Sequence, residues 1–376
     1  MITRFYQSQF PSLIAPNKVL VLYGPRRVGK TTLAQSFVET FDGKVYQSTG
    51  ENTVLRDVLE SSDFSKILPF FQDYDLVFID EAQWINNIGL GLKIVVDQID
   101  GIKVIATGSS SFDLSNKIGE PLVGRQRVVR LYPISAWELK EEFGYAWLAE
   151  NLENLLVFGA YPDILTARSF QEKVEYLTQI RDSYLFKDIL ELENVKNSKK
   201  VYDLLRLIAH QIGQEISHHE LGTQLGMSKN TVARYLDLLE KAFVLINVRG
   251  FSRNLRKEVT KTSRYYFYDN GIRNAILGNF SFINTRNDVG QLWENFLIME
   301  RLKYRSMKGI YANIYFWRTY DQQEVDLVEE RDGNLHGYEF KWSAQKVKAP
   351  SSWLSTYENA SFEVISKENY LEFISE

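Results

Sequence analysis

The stretch Val19-Leu20-Val21-Leu22-Tyr23-Gly24-Pro25-Arg26-Arg27-Val28-Gly29-Lys30-Thr31-Thr32 decides how the chain is read. An apolar run leads into a turn bounded by two glycines, and a helix-like segment follows from Thr31 to about Thr40. Strand, turn and helix is the setting a phosphate-cradling loop needs, and the spacing G-x-x-x-x-G-K-T is complete. Gly24 and Gly29 let backbone N–H groups turn inward around an anion without Cβ clashes. The helix starting near Lys30 adds free N–H groups and the positive end of its dipole. Lys30 is then placed to reach the β- and γ-phosphates of a nucleotide, and the Thr31 hydroxyl to sit on Mg²⁺.

Downstream, Tyr74-Asp75-Leu76-Val77-Phe78-Ile79-Asp80-Glu81-Ala82-Gln83 reads as a buried parallel strand whose C-terminal edge bears two carboxylates. Ligands bind at that edge in open α/β sheets. Asp80 is the expected Mg²⁺ partner, and Glu81 the residue that orients and deprotonates an attacking water. A run ending in Asp-Glu says little alone, but about 50 residues after a complete phosphate loop it is specific.

The next strand, Ile102–Ala106, ends in Thr107-Gly108-Ser109-Ser110-Ser111. Thr107 and Ser109 are candidates to sense a γ-phosphate; a helix N-cap uses the same residue types equally well. Gly124–Pro133 alternates Arg125, Arg127 and Arg130 with apolar residues, a strand with a basic face. One of these arginines can serve a neighbouring subunit as an arginine finger, although spacing alone favours a solvated face. The β/α alternation through residue 132 implies a mostly parallel sheet with helices on both faces.

Composition sets outer limits. With 376 residues the chain has room for two or three domains. The absence of cysteine excludes disulfides and thiolate zinc, and four histidines argue against an imidazole-rich zinc site. A net charge of −4 does not announce a nucleic-acid binder. No apolar run approaches the roughly 18 residues that span a bilayer, and there is no signal-like h-region near Met1, so the expectation is a cytoplasmic protein without a membrane partner.

Residues 1–13 read as an amphipathic lead-in helix, and 147–197 as helical around a Gly159-Ala160-Tyr161-Pro162 turn. From Lys199 the pattern becomes a helix with Val201, Leu204, Leu205, Leu207 and Ile208, a Ser217–Glu220 capping box opening a second helix, a Gly226 turn, and a third helix from Ser228. Val232, Leu236 and Leu239 share one face of that third helix, opposite Lys229, Asn230 and Arg234. Strands at Phe243–Ile246 and Tyr265–Tyr268 complete a winged helix whose wing carries Arg249, Arg253, Arg256, Lys257, Lys261 and Arg264. DNA contact through phosphates is the expectation.

The last block pairs a helix bearing Trp293-Glu294-Asn295, a strand at Ile314–Arg318, and a hairpin, Glu324–Val328 and Tyr338–Lys341, around Asp332-Gly333. Glu339 and Lys341 share one side of their strand, and Asp326 is expected beside them. Two such carboxylates suit Mg²⁺, and a lysine can act on water against a phosphodiester. An edge hairpin with alternating charge has the same spelling without chemistry.

Taken together, Gly24–Leu33, Phe78–Gln83, Thr107–Ser111 and Gly124-Arg125 ahead of Leu131-Tyr132-Pro133-Ile134-Ser135 resemble prokaryotic AAA-superfamily P-loop ATPases that end in a domain of unknown function. The resemblance implies an α/β P-loop NTPase core (1–145), a helical lid or linker (146–197), a winged helix (198–284) and a PD-(D/E)xK restriction-endonuclease-like domain (285–376). It implies ATP with Mg²⁺, a homo-oligomer, Arg125 as the arginine finger, and Asp326, Glu339 and Lys341 as nuclease residues with Asp326 and Glu339 as metal ligands. A nucleotide-gated switch that binds DNA or a protein and cuts nothing is the alternative.

Overall fold

The computed structural model describes residues 2–109, 121–185, 198–253 and 263–375. Ser110 and Ser111, half of the basic wing (Arg256, Lys257, Lys261) and residues 186–197 of the expected helical linker lie outside them. The chain divides into two compact units, Met1–Ile134 with Lys241–Phe243, and Ser135–Glu240 with Val244–Glu376.

In the first unit, β1 (Lys18–Tyr23), β2 (Val45–Thr49), β3 (Leu76–Asp80), β4 (Lys103–Gly108) and β5 (Gln126–Arg130) form a parallel sheet in the order β2-β3-β4-β1-β5. The inner strands are apolar on both sides because both faces are covered. Val19, Val21, Val77, Ile79, Val104 and Ala106 pack with the helices Thr53–Glu60, Phe64–Phe71 and Ile88–Gln98. Leu20, Leu22, Phe78 and Ile105 are buried on the opposite face, where helix Lys30–Val38 contacts β3 and β4. The order has one consequence for chemistry. β4 lies between β1 and β3, so its C-terminal end stands between the glycine loop and the Asp-Glu pair.

β5 lies at the sheet edge, and its arginines do not form an open basic face. Arg125 pairs with Asp97, Arg127 donates to the Ser12 carbonyl, and Arg130 lies over the Tyr23 ring. Val128 is exposed like Arg127, while Arg125 and Arg130 are half-buried, as an edge strand permits.

The second unit begins with helix Ala136–Phe158, closed at its start by a Ser135/Glu138 capping box and kinked at Gly144. Helices Pro162–Thr166 and Phe170–Gln179 follow the Gly159 turn. Next come helix Ser198–His210, β6 (Glu215–Ile216), helices His218–Leu225 and Lys229–Lys241, β7 (Leu245–Gly250) and β8 (Ser263–Phe267). β7 starts two residues later than the sequence suggests. Phe243 takes a left-handed φ of 57° and the Val244 N–H bonds the Leu239 carbonyl, so the helix exit consumes both residues.

Helix Val289–Lys308 precedes β9 (Asn313–Arg318), β10 (Glu324–Arg331), β11 (Asn334–Phe340) and β12 (Ala360–Ile365). Asp332 and Gly333, both at positive φ, make the β10–β11 turn. A single sheet runs through the unit in the order β12-β11-β10-β9-β7-β8-β6. Its join is the parallel pairing Arg249↔Tyr315 and Gly250↔Phe316. Phe251, Trp317, Val325, Val328, Leu335, Trp353 and Tyr357 form an apolar cluster across that join. On helix Val289–Lys308, the Arg301 guanidinium grips the fully buried Glu329 carboxylate through two bonds of 2.9 Å.

Candidate functional site

The loop after β1 has the shape its glycines allow. Gly24 has φ +149°, and a Cβ there would lie 2.0 Å from the Leu131 carbonyl oxygen, so only glycine lets the loop pass the end of β5. Gly29, at φ +92°, opens helix Lys30–Val38 in a left-handed conformation. Arg27 also takes a left-handed φ of 60°, a strained choice for a side-chain-bearing residue. Pro25 and Val28 are buried, Arg26 is half-buried, and Arg27 and Thr32 are exposed.

Lys30 is almost wholly buried and donates from Nζ to the Gly24 and Pro25 carbonyls at 2.9 and 2.7 Å. Arg4, ahead of helix Phe5–Leu13, braces the loop from behind. Its guanidinium donates to the Val28 carbonyl at 2.6 Å and the Tyr132 carbonyl at 2.9 Å. Nothing in the lead-in pattern signals that role, because the partners lie 24 and 128 residues away.

The sheet order brings Thr31, Asp80, Thr107 and Glu81 together. Thr31 Oγ1 donates to the Asp80 carboxylate at 2.9 and 3.0 Å. The fully buried Thr107 donates to Asp80 Oδ1 at 2.5 Å and accepts the Glu81 N–H at 3.0 Å. Thr107 therefore braces the carboxylate pair. Ser109 lies 3.3 Å from Glu81 Oε2, and both are bonded by the amide of Gln83, which the sequence reading passed over.

The residues present fit a nucleotide with Mg²⁺. The loop carries Lys30 at the start of helix Lys30–Val38, and the touching Thr31 hydroxyl and Asp80 carboxylate are hard oxygen donors suited to Mg²⁺. Among the described residues no group of three or more His, Asp or Glu side chains is arranged as a metal cage. A Mg²⁺ ion held by one carboxylate, one hydroxyl, phosphate oxygens and water needs none.

Arg125 is not part of this constellation. Its carbonyl accepts the Val19 N–H at 2.8 Å, which puts it at the start of β1, the sheet edge opposite the loop. Its side chain pairs with Asp97 at 2.5 Å, and that carboxylate holds the guanidinium pKa above its usual value.

A second cluster lies in the second unit. The register of β10 and β9 shifts between Val325 and Val328, a bulge that contains Asp326. One step beyond the Leu327↔Tyr338 pair, Asp326 stands opposite Glu339. Asp326 Oδ2 accepts the Phe340 N–H at 2.8 Å, and Lys341 Nζ bonds Glu339 Oε1 at 2.6 Å.

Glu294 joins from its helix, where the Tyr266 hydroxyl donates to it at 2.6 Å and Arg264 stands 3.9 Å away. Burial first, then the neighbouring Glu339 charge, pushes the Asp326 pKa up. Burial and the Asp326 charge do the same to Glu294. Lys341 is held above its usual value: burial opposes the charge, but the Glu339 bond and the surrounding carboxylates outweigh it.

So Asp326, Glu339, Lys341 and Glu294 meet, and β8 contributes Tyr266 and Arg264, which the sequence reading did not place there. Arg264 belongs to this cluster and not to a solvent-facing wing. It is buried and pairs with Glu324 at 2.6 Å. Arg249 and Arg253 are exposed, as are Lys229, Asn230 and Arg234 on the third helix.

Residues 16–140 match a family described as an AAA domain. Residues 149–282 and 289–368 match two domains of unknown function, DUF8612 and DUF4143. The uncharacterized protein Rv2008c of Mycobacterium tuberculosis is 26% identical over 326 residues, covering 86% of this chain and 70% of its own length. The uncharacterized protein MJ1544 of Methanocaldococcus jannaschii is 25% identical over 306 residues, 76% of this chain and 67% of that protein. Among solved structures, a Thermotoga maritima RuvB mutant aligns at 18% identity with a TM-score of 0.31, over 65% of this chain and 88% of its own. AMPPCP-bound DnaA from Aquifex aeolicus aligns at 16% with a TM-score of 0.28, over 62% and 84%. Superpositions that loose carry no argument. The first unit therefore contains an AAA-type P-loop domain. No helix among the described residues is long and apolar enough to cross a membrane.

Proposed function

We propose that the chain is a Mg²⁺-dependent ATP hydrolase whose nucleotide site is built on Gly24–Thr32, Asp80, Glu81 and Thr107. The observation that carries this reading is the continuous contact from Thr31 through Asp80 to Thr107 and the Glu81 backbone. The loop N–H groups and Lys30 bind the phosphates, and Lys30 exchanges its carbonyl partners for phosphate oxygens. Thr31 and Asp80 would hold Mg²⁺, which would supply charge neutralisation at the phosphates. Glu81 takes a proton from water as the water oxygen bonds the γ-phosphorus. The bond from that phosphorus to the β,γ-bridging oxygen breaks, leaving ADP and phosphate. Arg125, remote from its own loop, serves a neighbouring copy in a homo-oligomer.

In this reading the second unit is the output. Its helix–β6–helix–helix–β7–β8 order supports a winged helix that meets DNA through Lys229, Asn230, Arg234 and Arg249. Its convergent Asp326, Glu339, Lys341 and Glu294 support a PD-(D/E)xK-like nuclease in which Asp326 and Glu339 hold a divalent ion. One observation favours a second reading, a nucleotide-gated docking module that cuts nothing. Glu339 is already paired with Lys341, which engages one of the two carboxylates that a divalent ion would need.

Two experiments test these readings. Lys30→Ala abolishes binding of a fluorescent ATP analogue; retained binding overturns the nucleotide site. Divalent-dependent cleavage of single- or double-stranded DNA, lost in both Asp326→Ala and Lys341→Ala, supports the nuclease, and no cleavage of either form supports the docking module.

A further inference from the structure

Glu81 is held at two points by the end of β4. Its backbone sits in the left-handed region, at φ 49°, with the N–H fixed on Thr107 Oγ1 at 3.0 Å. Its carboxylate is caught by a triangle of side chains. Gln83 Nε2 donates to Glu81 Oε2 and, at 3.1 Å, to Ser109 Oγ, which itself lies 3.3 Å from the same Oε2. Gln83 is 7% and Ser109 4% exposed, so the two residues that hold the half-buried Glu81 are themselves shielded from water. An isolated glutamate rotates about three side-chain bonds, whereas this one has an oxygen fixed by two donors. Among the described residues no hydrogen bond engages the other oxygen, Oε1.

From this geometry we infer that Gln83, with Ser109, is a positioning residue for hydrolysis: it orients the Glu81 carboxylate so that Oε1 faces the attacking water. The inference rests on the reading of Glu81 as the water-orienting residue. It differs from a packing role because the bonds converge on one carboxylate oxygen, and the one-turn helix Ala82–Trp84 buries its apolar side through Ala82. Removing the amide leaves the nucleotide-binding loop untouched and frees the carboxylate. A displacement of about 1 Å in a catalytic group costs on the order of a hundredfold in rate.

The test is a double-mutant cycle on the full chain, reading ATP affinity with a fluorescent analogue and phosphate release in single turnovers. Gln83→Leu lowers kcat by about a hundredfold at unchanged ATP affinity, in protein that is still fully folded at the assay temperature. Ser109→Ala, which leaves the Gln83 bond in place, loses less. In a Glu81→Gln background, Gln83→Leu has no further effect on the residual rate, because the group it orients is gone. Wild-type kcat in Gln83→Leu overturns the inference, as does a loss that follows melting temperature or adds in full to Glu81→Gln. If Glu81→Gln itself turns over normally, the assignment of Glu81 falls instead, and the two failures are told apart.

Discussion

Replacing Thr107 with valine keeps the volume of a fully buried side chain and removes one hydroxyl. That hydroxyl donates to Asp80 Oδ1 at 2.5 Å and accepts from the Glu81 N–H at 3.0 Å. A hydrogen bond to a charged acceptor is worth about 1.5–3 kcal/mol, and the half-buried N–H adds about 0.5–1.5 kcal/mol. The expected loss for the first unit is therefore about 2–4.5 kcal/mol. For a unit of that size each kcal/mol moves the midpoint by about 3 °C, so its melting transition falls by about 6–14 °C. Turnover falls as well, on the order of a hundredfold in protein that is still folded, because the same hydroxyl sets the backbone angle from which Glu81 projects. Calorimetry and steady-state phosphate release read both effects. Thr107→Ser, which keeps the hydroxyl, stays near wild type. Unchanged melting and turnover in Thr107→Val refutes the reasoning, and so does a Thr107→Ser variant as impaired as Thr107→Val.

Gly24→Ala places a Cβ 2.0 Å from the Leu131 carbonyl at a φ that side chains avoid. ATP-analogue titration and thermal melts show lost nucleotide binding with a drop in stability; wild-type binding contradicts the loop geometry. The second cluster carries a pH signature. Glu294 is pushed up to about 8 by burial first and the Asp326 charge second. The folded chain therefore keeps that proton between the ordinary glutamate value and about pH 8, where the unfolded chain has lost it. Its contribution is present at low pH and disappears as pH rises through that window. Glu294→Gln removes it, so the melting temperature of the second unit falls less between pH 5 and pH 9 than in wild type, in chelator. Parallel curves contradict the burial argument.

The parts legible in the sequence are those whose spacing is local. The glycine loop, the Asp80-Glu81 strand end, the Thr107 strand and the Asp332-Gly333 hairpin stand where their own residues put them, because turn geometry and strand periodicity act over a few positions. The contacts that finish each site are long-range. β4 stands between β1 and β3 through strand pairing that no local pattern encodes. Arg4 reaches Val28 and Tyr132 only once β5 closes the sheet. Gln83 sits in a short turn and gains meaning from Ser109, 26 residues away. Tyr266 and Arg264 read as wing residues until the β7–β9 pairing carries β8 toward Glu294. The start of β7 was misplaced for a local reason, a left-handed Phe243, which composition does not announce in an aromatic residue.

In the proposed reaction Glu81, beside the Asp80 and Lys30 site, drives water onto the γ-phosphate. Its most direct test compares equilibrium ATP binding with single-turnover phosphate release in Glu81→Gln and wild type. Glu81→Gln keeps the wild-type ATP affinity while phosphate release drops to near background, a complex that holds ATP intact. Phosphate release at the wild-type rate would contradict it.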